Sequence, residues 1–398
     1  MKIGIVNFDL GAPMGDTRCT GSFARALKKS GHEVIVYTTD FNPGLFYDLW
    51  SGIEVKVFPQ KPPLEKILLG SSGIFARALR KVRTNLWARR AARDFSGKID
   101  PDLDILDCHN WYTYKIAPLY RKINSRARII WTMHDPPFNY RPKKNPILNL
   151  LALIQFYVEP LYEKRFYSCV DEIIVMDERS RNIAKDYSPK VRLLYLGIDY
   201  DHFYMPPRKR DRKKRLRLLG VGSMSPYRRF EDIIEATRQM RENGLDALAT
   251  IVCRDFWGDK AYQESFLSAM KNSGIEKFLD SRQDGVSEEE LLKIFRESDV
   301  YVFPNHIRIW GMAAFEAMAA GLPLIVSNIT SASEVLKDGE NALFVDPLRP
   351  DQIAQQAKKL SEDDGFYRKI AGNGQKFVRD NLTWENYAKN FLSDSASQ

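Results

Sequence analysis

The sequence predicts an α/β protein of two domains, each built on a parallel sheet, with the two sheets facing each other across a cleft. Three observations carry this prediction. The 398 residues exceed one ordinary hydrophobic core and suit two domains. Each half opens with a strand, a glycine turn and a helix, and short apolar runs then alternate with helical patterns. The composition, 44% hydrophobic and 28% charged, is typical of a folded globular chain.

The first half begins with a βαβ unit. Residues 2–7 are predicted as a buried strand, which is followed by a turn through Gly11 and Gly15 and by an amphipathic helix that ends at Gly31. A strand at 33–37 completes the unit. Further strands of the same sheet are predicted at residues 53–58, 105–108, 129–133 and 173–176.

A polar charge run at 208–215, preceded by Pro206 and Pro207, separates the two halves and is predicted to be a solvated linker. The second half repeats the strand, turn and helix order. Its predicted strands are 216–221, 248–253, 300–303 and 324–326, and its helices include 230–240 and 287–295. We therefore predict one domain at 1–205, joined by a C-terminal helix at 380–398, and a second domain at 206–379.

The net charge and the cysteines limit which classes of partner and which cellular compartment the sequence predicts. The net charge of +9 fits nucleic acid, an anionic membrane or phosphate-bearing ligands, but no nucleic-acid recognition motif is present. The four cysteines lie far apart without a C-x-x-C pair, which predicts reduced thiols. The N-terminus lacks a signal-peptide core, and the longest apolar stretch, 146–158, is too short to span a bilayer. These features predict a cytoplasmic protein.

The two glycine turns indicate phosphate binding rather than a nicotinamide or P-loop site. Neither turn has the full G-x-G-x-x-G spacing, and no G-x-x-x-x-G-K-[ST] occurs. Each turn does lie between a strand end and a helix N-terminus, where free N–H groups and the helix dipole favour an anion. Arg228 follows the second turn, and a guanidinium there is well suited to phosphate oxygens.

The segment 304–323 carries the densest signal. A strand ends, Gly311 permits a close backbone approach, and a helix of small residues follows until Gly321. Glu316 lies within this apolar helix, and a buried carboxylate requires a partner or a ligand.

These residues resemble the retaining GT-B glycosyltransferases of family four. In that family a strand ends with Pro-Ser, a glutamate and a glycine follow, and a second glutamate lies in a Glu-Ala-Met helix before Gly-x-Pro. The resemblance covers nearly the whole chain. Its matching residues are Met14-Gly15, Leu27 to Val34, Thr132 to Asp135, Leu196 to Asp199, Phe203, Val221-Gly222, Arg228, Pro304, Gly311, Glu316-Ala317-Met318, Gly321, Pro323, Ser333-Glu334, Asp338-Gly339, Asn341 and Asp346-Pro347.

The resemblance implies that a hexose is transferred from a nucleotide-sugar donor to an acceptor with retention of configuration, without cofactor or metal. It implies a donor-binding C-terminal domain and an acceptor-binding N-terminal domain. The catalytic residues implied are His134 beside the donor sugar, Arg228 at the diphosphate and Glu316 at the ribose. The donor-binding residues implied are Gly15, Gly222, Ser223, Arg228, Arg308, Trp310, Gly311, Met312 and Glu316.

The chain departs from the family pattern at two of these positions. Arg308 stands where the family has its first glutamate, and Ser223 stands where it usually has an arginine. Two D-x-D sequences, at 102–104 and 199–201, imitate a metal motif but are predicted to be turn residues beside strands.

The acceptor class is suggested by a basic amphipathic segment at 74–93. Its cations alternate with apolar residues, a pattern that can lie on anionic lipid or can form an ordinary solvated helix. Residues 148–162 either add an apolar face or belong to the core. A lipid-linked acceptor or a growing surface glycan, and a peripheral position on the cytoplasmic membrane face, are the hypotheses that follow.

Three other functions remain open on the sequence. A nucleotide-sugar epimerase would share the architecture, a non-catalytic binding protein would bind the nucleotide without turnover, and a nucleic-acid binder is suggested by charge alone. We predict no nucleic-acid partner. The sequence does not specify the donor base, the sugar or the oligomeric state.

Overall fold

The structure is a computed structural model of the 398-residue chain. It describes residues 1–60, 74–134, 136, 145–188, 190–207, 214–255 and 259–393. Most of the predicted linker at 208–215 lies outside the described residues.

The described chain alternates strands and helices from end to end. The strands are β1 Lys2–Val6, β2 Glu33–Thr38, β3 Glu54–Val57, β4 Ile105–His109, β5 Arg128–Met133, β6 Glu172–Val175, β7 Val191–Leu193, β8 Leu216–Ser223, β9 Ala247–Arg254, β10 Leu279–Arg282, β11 Val300–Phe303, β12 Leu324–Ser327 and β13 Leu343–Val345. The helices are α1 Gly15–Lys29, α2 Tyr47–Trp50, α3 Ile74–Ser96, α4 Ala117–Ile123, α5 Pro146–Tyr167, α6 Glu178–Ala184, α7 Tyr200–Phe203, α8 Phe230–Glu242, α9 Lys260–Asn272, α10 Glu288–Glu297, α11 Met312–Ala319, α12 Pro350–Glu362, α13 Asp364–Asn381 and α14 Trp384–Leu392.

The chain divides into two compact units. The N-terminal unit contains Met1–Gly197 together with Trp384–Gln398, and the C-terminal unit contains Ile198–Thr383. These units are defined by contacts within the fold, whereas a domain is a part of the chain that can fold independently. The predicted domain boundaries at 205/206 and 379/380 therefore stay predictions. The tail helix is shorter than the predicted 380–398 segment, because Leu382 leaves helical backbone and α14 begins only at Trp384.

Each unit holds one parallel sheet, which confirms the predicted α/β, Rossmann-like architecture. The N-terminal sheet has the order β3-β2-β1-β4-β5-β6-β7, and the C-terminal sheet has the order β10-β9-β8-β11-β12-β13. Every strand pairing within these two sheets is parallel. The strand order reverses between β1 and β4 and between β8 and β11. Ligands of such sheets bind at the carboxyl ends of the strands on either side of this reversal.

The N-terminal unit is closed by the last helix of the chain. Phe23 of α1 packs against Trp384, Tyr387 and Phe391 of α14, with ring centroids 4.8 to 6.4 Å apart. The buried guanidinium of Arg192 also donates to the carbonyls of Asn390, Phe391 and Ser393 at the C-terminal end of α14. Aromatic packing and a cation at the negative end of a helix therefore fix the tail.

The C-terminal unit has a separate core. Side chains of β8, β9 and α8, among them Leu218, Ile251, Phe230 and Ile233, are buried together. The strands β7, β10 and β13 were not predicted, since each has only three or four residues and lacks a long apolar run. Among the described helices, none combines the length and the apolar character needed to cross a bilayer.

We expect Arg192→Met to loosen α14, because it removes charged hydrogen bonds worth about 2–3 kcal/mol in total to the helix end. Hydrogen exchange of residues 384–392 measures the effect directly. The matched control is Arg379→Met, because Arg379 is exposed and, among the described residues, its side chain pairs with the adjacent Asp380. Equal exchange in both variants would contradict this role of Arg192.

Candidate functional site

A cluster of polar side chains lies at the strand-order reversal of the N-terminal sheet. His109 is the last residue of β4, His134 follows β5 directly, and Asp16 lies in the first turn of α1, just beyond β1. The rings of His109 and His134 meet edge to face with centroids 4.5 Å apart. The parallel topology thus gathers residues that lie far apart in the chain.

His109 is held by a carboxylate. Its Nδ1 lies 3.0 Å from Asp107 Oδ2, both side chains are fully buried, and Thr132 Oγ1 donates to Asp107 Oδ1 over 2.6 Å. Burial lowers the pKa of His109, but the hydrogen bond and the charge of Asp107 outweigh it, so that the pKa is raised. His109 Nε2 is buried and has no hydrogen-bond partner within the described residues.

His134 is kept neutral by its surroundings. Burial, together with the charge of the neighbouring His109, lowers the pKa of His134 to about 3 in spite of Asp16. Its Nδ1 lies 3.2 Å from Asp16 Oδ1. The neutral ring of His134 therefore offers a lone pair for a ligand.

The C-terminal unit places Arg228 at the corresponding point of its own sheet. Arg228 ends a short 3-10 turn, Pro226–Arg228, after β8. Its guanidinium lies close to Gly222, where a Cβ atom would come within 2.8 Å of Nε, so glycine lets the side chain lie directly against the backbone. The buried Nε has no hydrogen-bond partner, and no carboxylate pairs with Arg228 in the described part of the chain.

Gly311 shapes the other side of this site. It starts α11 with a φ of 77°, and a Cβ atom there would come within 2.2 Å of the Phe303 ring. The N-cap of α11 is this glycine, which has no side chain to cap the helix, and the positive end of the helix dipole lies at Met312. Trp310 beside it is buried and packs on Phe315, with ring centroids 4.6 Å apart.

Glu316 lies one turn into α11 and is buried. The hydroxyl of Tyr301, which donates to the carbonyl of Val221, is influenced by both Glu316 and Arg228. Burial is the largest influence on the Tyr301 hydroxyl and raises its pKa. The charge of Arg228 lowers this pKa, and the charge of Glu316 raises it. The two predicted residues Arg228 and Glu316 therefore lie in one neighbourhood around Tyr301.

Asn305 is a residue of this neighbourhood that sequence reasoning missed. It follows β11 and is 1% exposed, yet both its amide nitrogen and its amide oxygen lack hydrogen-bond partners among the residues described. A buried amide without partners costs free energy unless a ligand or water satisfies it. Its position two residues after a strand end was the available signal.

The two departures from the family pattern have structural partners. Arg308 donates to Glu334 over 2.9 Å, so its charge is matched within the C-terminal unit. Ser223 Oγ lies 3.1 Å from the Tyr227 hydroxyl. The roles of both in donor binding stay predictions, as do those of Gly15, an exposed residue that begins α1, and of His134.

Asp16, Asp107 and His109 were also missed as site residues. The signal was present in the chain, since Asp107 lies in the predicted strand 105–108, His109 follows that strand directly and Asp16 follows Gly15. The first D-x-D sequence, at 102–104, lies in a turn just before β4 as predicted, whereas Asp201 of the second lies within helix α7. Asp102 and Asp104 bind the side chain and the amide of Lys2, and Asp199 precedes the short helix α7.

An exposed apolar face lies on α5. It consists of Leu150, Ile154, Tyr157, Val158 and Leu161, which recur at helical spacing and are each at least half exposed. The prediction that this segment belongs to the core is wrong for these residues, because the opposite face of α5, with Glu163 and Tyr167, is the buried one. Side chains of 74–82, in the predicted basic segment, lie outside the described residues.

Comparison with known proteins identifies the relatives of this chain. The family model for glycosyltransferase family 4 matches residues 15–202, and that for glycosyl transferases group 1 matches residues 205–377. The chain is 24% identical over 394 residues to an uncharacterized glycosyltransferase of Methanocaldococcus jannaschii, covering 93% of this chain and 91% of the relative.

Two further similarities extend this result. A D-inositol 3-phosphate glycosyltransferase of Corynebacterium glutamicum is 23% identical over 362 residues, covering 86% of this chain and 82% of the relative. The solved structure of HepE from Anabaena in complex with UDP and glucose superposes with a TM-score of 0.72 at 16% identity, covering 100% of both chains. At 16% identity, this structural similarity shows that the two proteins share a fold.

We expect Gly311→Ala to destabilise the C-terminal unit by about 2–5 kcal/mol, because it combines left-handed backbone strain with a clash against Phe303. The matched control is Gly339→Ala, which has a φ of 67° but open space within 4 Å. This control bears only the backbone strain of about 1–2 kcal/mol. Melting temperatures from circular dichroism compare the two, and equal losses would show that the Phe303 contact is unimportant.

Proposed function

This chain belongs to the group 1 glycosyltransferases of family four and has their GT-B fold class, and on that premise we propose that it transfers a hexose from a nucleotide-sugar donor, with retention of configuration, to a lipid-linked acceptor. It is a glycosyltransferase; the donor, the acceptor and the stereochemistry are the proposal. Two observations support it: Arg228 after β8, which pairs with no carboxylate among the residues that the structure describes, and the exposed apolar face of α5. HepE, the structural neighbour, is in complex with UDP and glucose.

The observation that carries the donor proposal is Arg228. Its buried Nε has no partner in the described segments and lies against Gly222 at the end of a parallel strand, and such a guanidinium suits a diphosphate. The positive end of the α11 dipole, next to Gly311, adds to this attraction for an anion. We assign buried Glu316 of α11 to the ribose hydroxyls, because a carboxylate is a strong hydrogen-bond acceptor for them.

Arg228 would act mainly in the transition state. Charge accumulates on the leaving diphosphate as the glycosidic bond breaks, and a fixed cation with preorganised N–H donors stabilises that charge. We propose that this makes a cofactor, or a metal ion at the diphosphate, unnecessary. Retention is tested by the anomeric proton coupling of the glycoside product, which should show the same anomeric configuration as the donor.

We expect Arg228→Met to weaken binding of the nucleoside diphosphate about 10–100-fold, since a charged hydrogen bond is worth about 1.5–3 kcal/mol. Thermal stabilisation by UDP-, GDP- and ADP-sugars first identifies the donor base, and calorimetry then measures the affinity. Turnover should fall at least as much, because the leaving charge is larger in the transition state.

The control for this measurement is Arg217→Met, because Arg217 is half exposed at the start of β8 and pairs with Glu297. It should leave nucleotide affinity unchanged. If Arg228→Met and the control bind the nucleotide equally well, Arg228 does not hold the diphosphate and the donor proposal fails.

The exposed apolar face of α5 supports the lipid-linked acceptor. A contiguous row of large apolar side chains in water is costly and is typical of a membrane or protein contact. Lys164 and Arg165 are exposed at the C-terminal end of the same helix, while Glu163 points inward and is buried. The exposed surface of α5 therefore combines the apolar row with two cations, while the carboxylate of Glu163 is buried. This combination suits contact with an anionic bilayer.

The neighbouring helix α3 extends this basic and apolar surface. Arg83, Leu86 and Arg90 are exposed and recur at three- and four-residue spacing, so they share one face of the helix. The two helices are joined by Asn85 and Arg89, which donate to Glu163 of α5. We propose that α3 and α5 together rest on the cytoplasmic membrane face. The free cysteines accord with this reducing compartment.

We expect the double variant Tyr157→Glu and Leu161→Glu to lower the affinity for vesicles containing anionic lipid at least about tenfold. Burying one Leu side chain is worth about 1.5–3 kcal/mol, and both replacements add repulsion. Flotation of protein with phosphatidylglycerol vesicles measures the effect. The control Leu267→Glu changes an exposed leucine of α9 in the C-terminal unit. If wild type does not float, or if both variants float equally, the membrane proposal is dropped.

A further inference from the structure

A large indole is exposed at the carboxyl end of β4. Trp111 follows β4 after one intervening residue and is 52% exposed. The strand β4 lies on one side of the strand-order reversal of the N-terminal sheet, at the edge where ligands of parallel sheets bind. A single exposed apolar side chain is ordinary on a protein surface, so its exposure alone indicates no function. The backbone on either side of the indole adds the second observation.

This backbone is left-handed on both sides of Trp111. Asn110 has a φ of 69° and Tyr112 has a φ of 62°, and neither residue is a glycine. Left-handed backbone costs free energy in any residue with a side chain, and it is most unusual for a bulky one such as Tyr112. Strain of this kind is concentrated at ligand-binding positions. The turn 110–113, which we call the Trp111 turn, therefore has the character of a functional turn.

Buried groups hold the Trp111 turn in place. The amide of Asn110 donates to the carbonyl of Thr132 over 2.8 Å, and Trp131 Nε1 donates to the carbonyl of Asn110 over 3.1 Å. Thr113 Oγ1 donates to the same carbonyl over 3.1 Å. The side chains of Thr132, Trp131 and Thr113 are buried. The strained turn is therefore fixed from below, and its indole is presented to solvent in one position.

The Trp111 turn is also connected to α5, the helix with the exposed apolar face. The rings of Trp111 and Tyr112 meet edge to face with centroids 6.3 Å apart, and Lys115 Nζ lies 5.4 Å from the Tyr112 centroid. Lys115 and Tyr114 both donate to Glu163 of α5, and all three side chains are buried. A lipid-linked acceptor that rests on α5 therefore has its polar end on the same rigid part of the N-terminal unit as the indole.

An exposed indole face suits a sugar ring. The face of an aromatic ring carries partial negative charge, and the C–H groups on one side of a pyranose carry partial positive charge. Stacking removes that apolar side from water and leaves the hydroxyl groups of the sugar for hydrogen bonds around it. A bilayer contact is made by a contiguous apolar row such as that of α5, whereas Trp111 is a single indole next to Asn110.

We propose that Trp111 stacks on a pyranose ring of the acceptor, so that the acceptor ends in a sugar and not in a bare lipid phosphate. This inference rests on the proposed transfer to a lipid-linked acceptor and names the substrate class of that site. The nucleotide is assigned to Arg228 of the C-terminal unit, which leaves the indole for the acceptor.

The reaction joins two sugars. A hydroxyl oxygen of the acceptor sugar bonds to the anomeric carbon of the donor hexose, and the bond from that carbon to the diphosphate breaks with its electron pair on the diphosphate. The hydroxyl proton passes to the leaving diphosphate. An earlier glycosyl transfer to the lipid must therefore supply the substrate of this chain.

Fluorine NMR of the full chain, labelled with 5-fluorotryptophan, reports on the indole directly. The chain has seven tryptophans, and the resonance that Trp111→Phe removes belongs to Trp111. Methyl glycosides of glucose, galactose and mannose are titrated to millimolar concentration, and at least one should shift this resonance saturably. Glycerol, which has hydroxyl groups but no ring, should not shift it. UDP and phosphatidylglycerol vesicles are titrated in the same way.

Turnover gives a second measurement, with octyl glycosides of the same sugars as acceptors and with the donor found by thermal stabilisation. We expect Trp111→Ala to raise the KM for the acceptor about 5–50-fold, because stacking of one ring on an aromatic side chain contributes a factor of this order. The kcat and the KM for the donor should stay close to those of wild type. Trp111→Phe should have a smaller effect, since its ring keeps part of the stacking.

The control variant is Tyr204→Ala, which removes an exposed aromatic ring from the C-terminal unit. It should leave the KM for the acceptor unchanged. Circular dichroism checks that each variant is folded, which we expect because the side chain of Trp111 is exposed. Where no octyl glycoside accepts a hexose, the fluorine titration decides.

Three results would overturn the proposal. The first is a Trp111 resonance that no methyl glycoside shifts. The second is a resonance that responds to UDP or to vesicles but not to glycosides, which would assign the indole to the nucleotide or to the bilayer. The third is a folded Trp111→Ala variant with the wild-type KM for the acceptor. Failure of the proposed function has a different signature, since the glycosides would shift the resonance while no hexose is transferred.

Discussion

The reversal of strand order in each parallel sheet is the constraint on which both sites depend. At β1 and β4, and again at β8 and β11, the connections leave in opposite directions, so the strand ends between them are not covered by a helix of their own sheet. Polar side chains collect there because the strands themselves are buried and apolar. Arg228 and His109 therefore occupy comparable places in two different sheets.

The two sites differ in charge. The C-terminal site presents a cation, the positive end of α11 and one buried carboxylate. The N-terminal site presents two carboxylates and two imidazoles. A single net charge of +9 for the chain conceals this local arrangement.

The apolar face of α5 shows how a helix can serve the core and a surface together. Its buried side holds Glu163, to which Tyr114 and Lys115 donate, so the acid is satisfied within the unit. Its exposed side carries the apolar row. In the sequence, the apolar residues of both faces form one apolar segment at 148–162, and such a segment is typical of a core helix.

The sequence by itself determined the two α/β halves and most strands, because buried parallel strands are apolar runs and glycine turns follow them directly. It also correctly placed Gly311 before a helix that contains Glu316. Tertiary structure alone decided that Asp16, His109 and His134 meet, since 93 and 25 residues separate them along the chain. It likewise decided that β10 and β13 pair at the sheet edges, because pairing there depends on a neighbouring strand and not on a local pattern.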